Sequence, residues 1–241
     1  MDEFIANGFT NLVEHYKKSM NVFRPCRPGG EVLEQNLVTA FLMGCLKKPT
    51  EAHWGLEVPF MGDSKAKVHS SDKTRGNDFF ELTSKSILDS TKKWRNHLDG
   101  FIYANETLYL IEAKRDYPAT EFLKQIKADY DRLNSKELAL SFHSMLNRPD
   151  VYSKPFGNIK QVKAVLLADT WRPTNFRLWE SAFYKPRGHK SAYDLSWLKP
   201  MQRRACDLGF ESSQSASESY SLLIAQTDDM AGSREIINNG L

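Results

Sequence analysis

Two short apolar segments hold two acids and an amine at suggestive spacing: Leu98-Asp99-Gly100 and, further on, Ile111-Glu112-Ala113-Lys114. Residues 97–103 and 108–115 read as two β-strands around a polar reversal at 104–107. With that reversal taken as a four-residue loop, Tyr103 faces Leu108, Phe101 faces Leu110 and Asp99 faces Glu112. Side chains two apart share a face of a strand, so Asp99, Glu112 and Lys114 project from one side of the ribbon. Opposed side chains in such a pair start from β-carbons about 5 Å apart.

Two like charges in opposition disfavour a plain sheet. The rest of the ribbon is apolar (Leu98, Phe101, Ile102, Leu108, Leu110, Ile111, Ala113), so the acids require a counter-charge. A hard divalent cation supplies one. Mg²⁺ prefers oxygen ligands and takes one or two carboxylates together with water and phosphate oxygens. An ammonium beside it, Lys114, is suited to hold a phosphate oxygen and position an attacking water. The competing reading of Asp99 and Lys114 is an ion pair on an exposed sheet face.

The elements that must position these groups are legible around them. Residues 2–20 form an amphipathic pattern with Phe4, Ile5, Phe9, Leu12, Val13 and Tyr16 apolar. Pro25, Pro28, Gly29 and Gly30 break it. A second helix is expected over 31–47, ending before Pro49, and a strand over 54–60. After the ribbon a helix is expected from Pro118 to Leu133, with a continuation towards Leu146. Residues 162–168 read as a buried strand, 176–184 as a helix, 212–219 as a loop and 220–226 as another strand. On the second helix Glu34 falls inside an apolar arc with Leu37, Val38, Phe41 and Cys45. An ionised carboxylate there needs a partner, and a metal-bound water or Lys114 would provide it; a solvated helix-start acid is the alternative.

The Asp of one strand followed by Glu-x-Lys in the next resembles the PD-(D/E)XK nuclease superfamily, over roughly residues 31–133. Glu34 in an upstream helix and Gln125 in a downstream one match further features of that pattern. Leu98 stands where the superfamily's name has Pro, and Tyr130 follows Gln125 at five residues, so one subgroup's Gln-x-x-x-Tyr spacing is not met. The resemblance implies an α/β fold with a restriction-endonuclease-like mixed β-sheet core flanked by helices on both faces. The length of the chain suits a single nuclease-like domain over 1–241, divided as N-terminal helix and linker (1–30), catalytic core (31–170), and a C-terminal extension completing the fold (171–241); the resemblance itself says nothing specific about 141–241. The resemblance also implies a Mg²⁺-dependent deoxyribonuclease, endo- or exo-acting, with Mn²⁺ able to substitute. Asp99, Glu112, the Ala113 carbonyl and Glu34 would hold the metal, and Lys114, with Gln125 nearby, would serve the attacking water. Nucleic acid is the implied partner, DNA before RNA, and a homodimer would suit cutting both strands of a duplex. The superfamily also contains members that keep the fold as non-catalytic nucleic-acid-binding modules, and an RNA-directed nuclease is the other alternative.

Composition narrows the remaining classes. The 241 residues are 41% hydrophobic and 26% charged, which suits a globular chain with a normal core. Net charge is only +3, but Lys65, Lys67, Lys73, Arg75, Lys85, Lys92, Lys93 and Arg95 cluster within 64–95, a stretch able to meet phosphates or to remain a solvated insertion. The three cysteines are scattered, without a CxxC pair, which argues against a zinc site or disulfide framework and for a reducing, cytoplasmic setting. Neither a signal peptide nor an apolar membrane span is expected. Asp63-Ser64-Lys65 also matches Asp/Glu-x-Lys but lacks a strand context. The six histidines show no ligand spacing; His97 lies on the Asp99 face near a strand end. Asp78 and Glu81 read as solvated rather than as added ligands. Trp171 and Arg172 follow a strand end, where core packing of Trp171 is favoured over stacking on a nucleic acid strand.

Overall fold

The computed structural model describes residues 1–22, 34–46, 52–59, 97–115, 122–134, 159–185, 193–211 and 219–228. Helix α1 (Glu3–Val22) buries Ile5, Phe9, Leu12 and Tyr16, a stripe at helical spacing. It lies against α2 (Glu34–Cys45) through two glycines. A β-carbon on Gly8 would sit 2.1 Å from Cys45 Sγ, and one on Gly44 would sit 2.7 Å from the Gly8 carbonyl oxygen. Only bare backbone permits that approach.

Among the described residues six strands form one mixed sheet in the order β1-β2-β3-β4-β8-β7. They are β1 (Ala52–Pro59), β2 (His97–Ala104), β3 (Thr107–Arg115), β4 (Gln161–Thr170), β7 (Gln202–Glu211) and β8 (Ser219–Gln226). Among the described strands of this sheet β3 pairs parallel with β4, and the other pairings are antiparallel. Helix α3 (Phe122–Leu133) lies in the connection between β3 and β4, as a parallel pair requires. Helix α4 (Pro173–Ser181) follows β4. The two-residue strands β5 (Phe183–Tyr184) and β6 (Tyr193–Asp194) form a separate ribbon.

Both sheet faces are covered, and the strand alternation decides which residue goes to which side. Phe101, Leu108, Leu110, Ala164, Leu166 and Leu223 pack towards α3 and α4, with Phe122, Ile126, Leu178 and Trp179. Ile102, Ile111, Val165, Leu167, Leu222 and Ile224 pack towards α1 and α2, with Phe9, Leu12, Val38 and Phe41. The mixed α/β architecture expected from the sequence is therefore present. No helix among the described residues is long and apolar enough to cross a membrane.

Several boundaries differ from expectation. The helix expected at 176–184 begins at Pro173, which needs no helical N–H acceptor. It ends at Ala182, whose left-handed φ of 58° closes the turn by donating its N–H to the Leu178 carbonyl. Phe183 and Tyr184 are then free to form β5. Strand β7 was not anticipated: its sequence, QRRACDLGFE, is charged and weakly alternating, as an edge strand tolerates. Its register shifts between Asp207 and Glu211, around Gly209 at φ 74°. The basic stretch 64–95, with Asp78 and Glu81, lies outside the described residues, as do 118–121 and 135–146 of the expected helix.

Candidate active site

The reversal between β2 and β3 is tighter than the four-residue loop expected. Ala104 pairs with Thr107, leaving Asn105 and Glu106 as the two loop residues. Both have positive φ (51° and 60°), the pattern of a type I′ turn, whose twist suits a hairpin. Shortening the loop symmetrically leaves the register untouched: Tyr103 pairs with Leu108 and Phe101 with Leu110.

The β2–β3 ladder ends at Gly100 opposite Ile111. Beyond it β2 stays paired with β1, as far as His97 opposite Pro59, while β3 stays paired with β4, as far as Arg115 opposite Asp169. Asp99 and Glu112 occupy the next position on the two diverging strands. The Ala113 N–H, which a main-chain carbonyl of β2 would otherwise accept, donates to Asp99 Oδ2 at 2.7 Å. That bond fixes the Asp99 carboxylate at the mouth of the opening.

Glu112 is 2% exposed. Burial, and then the Asp99 charge, push its carboxyl well above the usual range, against the opposing pull of Arg132. Arg132 Nη2 is 2.5 Å from Glu112 Oε1 and 3.0 Å from Asp129 Oδ1. Glu112 Oε1 nevertheless lacks a well-directed hydrogen bond, so the contact is an ion pair rather than a hydrogen bond of good geometry. Lys114 Nζ lies 3.2 Å from Asp129 Oδ2. Burial alone would loosen Arg132's proton, but Glu112 and Asp129 beside it raise its pKa instead.

The sequence reading did not identify Asp129 or Arg132. A signal for Asp129 was present: it continues the spacing Phe122, Ile126, Asp129, Leu133, and is an acid in the buried stripe of α3. Arg132 is three residues further on. Gln125 is half-buried on α3, one turn before Asp129. Ala113 is buried towards α2. Glu34 opens α2, one turn before Val38. A β-carbon on Gly100 would be 2.9 Å from Val38 Cγ1, so this part of α2 lies against the face of β2 opposite the Asp99 side chain. The side chains of Glu34 and His97 lie outside what the structure describes.

Trp171 is 7% exposed and packs against Tyr220, with ring centroids 4.8 Å apart; it is a core residue rather than a stacking platform. Tyr220 donates its hydroxyl to Asp169 Oδ2, and Tyr16 stacks on its ring. This second polar cluster joins α1, β4 and β8 on the face opposite Glu112.

As donors for a cation, the site offers hard oxygens: one buried carboxylate and one at the mouth of the strand opening. Among the described residues no three His, Cys, Asp or Glu side chains gather as a metal-holding group. Two carboxylates suffice for Mg²⁺, which keeps several waters. The donor chemistry therefore fits. Comparison with protein-family models, with curated proteins and with solved structures returned no match.

Proposed function

We propose that the chain is a metal-dependent nuclease of the PD-(D/E)XK type, hydrolysing phosphodiester bonds in DNA. One observation carries the reading. Asp99 and Glu112 stand at the same step of two strands that part there, with Lys114 two residues beyond Glu112 on the same face. A mixed sheet with helices on both faces, an upstream α2 and a downstream α3 agree with it.

In this reading Asp99, Glu112 and the Ala113 carbonyl hold Mg²⁺ or Mn²⁺, and Glu34 joins from α2. A bound divalent cation neutralises charge on the phosphate and the leaving oxygen. Lys114 orients the attacking water and steadies a phosphate oxygen. Asp129 holds the Lys114 ammonium in place through their 3.2 Å contact. Burial of Glu112 keeps water from competing for its oxygens.

The test is digestion of linear and circular duplex DNA, single-stranded DNA and RNA by the purified chain, in Mg²⁺, in Mn²⁺ and in EDTA. Cleavage of DNA is expected only with metal. Glu112→Ala and Lys114→Ala should each lower the rate by about 100-fold or more while the protein stays folded. A Glu112→Ala protein that cuts DNA at the wild-type rate would falsify the assignment, and RNA cleavage without DNA cleavage would transfer the same chemistry to the other substrate.

A further inference from the structure

The charges around Glu112 come from two layers of the fold. Three acids, Asp99, Glu112 and Asp129, meet two cations, Lys114 and Arg132. The cations are not placed symmetrically. Lys114 contacts Asp129. Arg132 bridges Asp129 and Glu112, with Nη2 in contact with both. Glu112 is almost completely buried, and a buried carboxylate without a positive partner is strongly destabilising. The guanidinium thus stands against one of the two Glu112 oxygens, at the carboxylate that a divalent cation would use. Two positive charges cannot share that carboxylate at contact distance without mutual repulsion.

We propose that Arg132 is the site's own counter-cation: it guards Glu112 while no metal is bound and moves onto Asp129 when a divalent cation takes Glu112. This inference rests on the nuclease reading, and specifies how its cation site is loaded. The hand-over needs little motion, because Nη2 already touches both acids. The Arg132 side chain is 28% exposed, against 2% for Glu112, so it is the less enclosed partner of the pair. From Asp129 it lies beside Lys114, and the two cations together form an anion-binding pair for a phosphate. Arg132 is in this sense a positioning residue. Its charge keeps the empty site folded, sets the threshold for metal entry, and then serves the side from which the substrate approaches.

Calorimetric titration of the full chain with Mn²⁺ tests this directly, on wild type, Arg132→Met, Arg132→Lys and Glu112→Gln. Arg132→Met should bind Mn²⁺ on the order of tenfold more tightly than wild type, since the metal no longer has a competitor. The same variant should melt lower than wild type in EDTA and gain more on adding Mn²⁺. Arg132→Lys, whose shorter side chain draws the charge back from Glu112, should tighten binding by about fivefold. It also decides the matter if Arg132→Met does not fold. An Arg132→Met protein, or failing that an Arg132→Lys protein, that binds Mn²⁺ no more tightly than wild type overturns the counter-cation role. Loss of binding in Glu112→Gln alongside that result would leave the nuclease reading standing. If Glu112→Gln binds Mn²⁺ as wild type does, or no variant binds it, the cation site itself is refuted and the counter-cation role with it.

Discussion

Neutralising Glu112 should make the metal-free protein more stable while destroying the proposed activity. The carboxylate is 2% exposed and has Asp99 as a like-charged neighbour. Its positive partner, Arg132, is 28% exposed, so solvent screens part of what the pair returns. In Glu112→Gln the guanidinium keeps Asp129 at 3.0 Å and is not orphaned. Removing a buried charge whose partner retains another acid is worth about 1–2 kcal/mol, at the low end of what replacing buried pairs has gained elsewhere. For a chain of this size that corresponds to roughly 2–8 °C in Tm. The effect must depend on pH in a particular direction. The folded carboxyl lies well above its usual 4.5, so the folded state binds this proton more tightly than the unfolded state does. Stability from this group is therefore full below the unfolded value and is lost as pH rises through the folded one. Thermal melts of wild type and Glu112→Gln in EDTA, from pH 4 to pH 8, give the measurement. The variant's advantage should be greatest at pH 8 and vanish towards pH 4, where both side chains are neutral. A variant less stable than wild type at pH 8 would show that the Arg132 contact outweighs desolvation, and the electrostatic argument for the site would fail.

Other expectations concern the frame that holds the site. Asp2 is bound by Lys163 at 2.9 Å and by the Tyr109 hydroxyl at 2.7 Å. Burial would raise its pKa, but those hydrogen bonds and the Lys163 charge hold it below its usual 3.8. Asp2→Asn should cost about 1 kcal/mol in urea unfolding at pH 7. The loss should shrink as pH falls below 3.8 through the folded value, and a loss that stays constant to pH 2 would rule out the ion pair. Gly100→Ala places a β-carbon 2.9 Å from Val38 Cγ1 and should cost about 1–3 kcal/mol. Adding Val38→Ala should recover part of that loss, and a Gly100→Ala protein as stable as wild type would contradict the packing of α2 on β2.

The hairpin was legible in the residues because everything that specifies it is local. Alternation over 97–103 and 108–115 sets which side chains share a face, and a symmetric shortening of the turn to Asn105-Glu106 changes no partner. The common face of Asp99, Glu112 and Lys114 follows from period-two geometry alone. Helices α1 and α2 were equally readable, since their apolar stripes are continuous. Three things required the tertiary structure. The ladder parts after Gly100 because β2 follows β1 and β3 follows β4, a competition between partners distant in sequence. Strand β7 takes the sheet edge beside β8 although its own pattern is weak, because pairing with a strongly apolar neighbour supplies what its alternation lacks. Asp129 and Arg132 reach Glu112 and Lys114 only through the crossover that lays α3 over β3. Period and turn chemistry act over a few residues and are written in them; which charges meet across layers depends on how the whole chain packs.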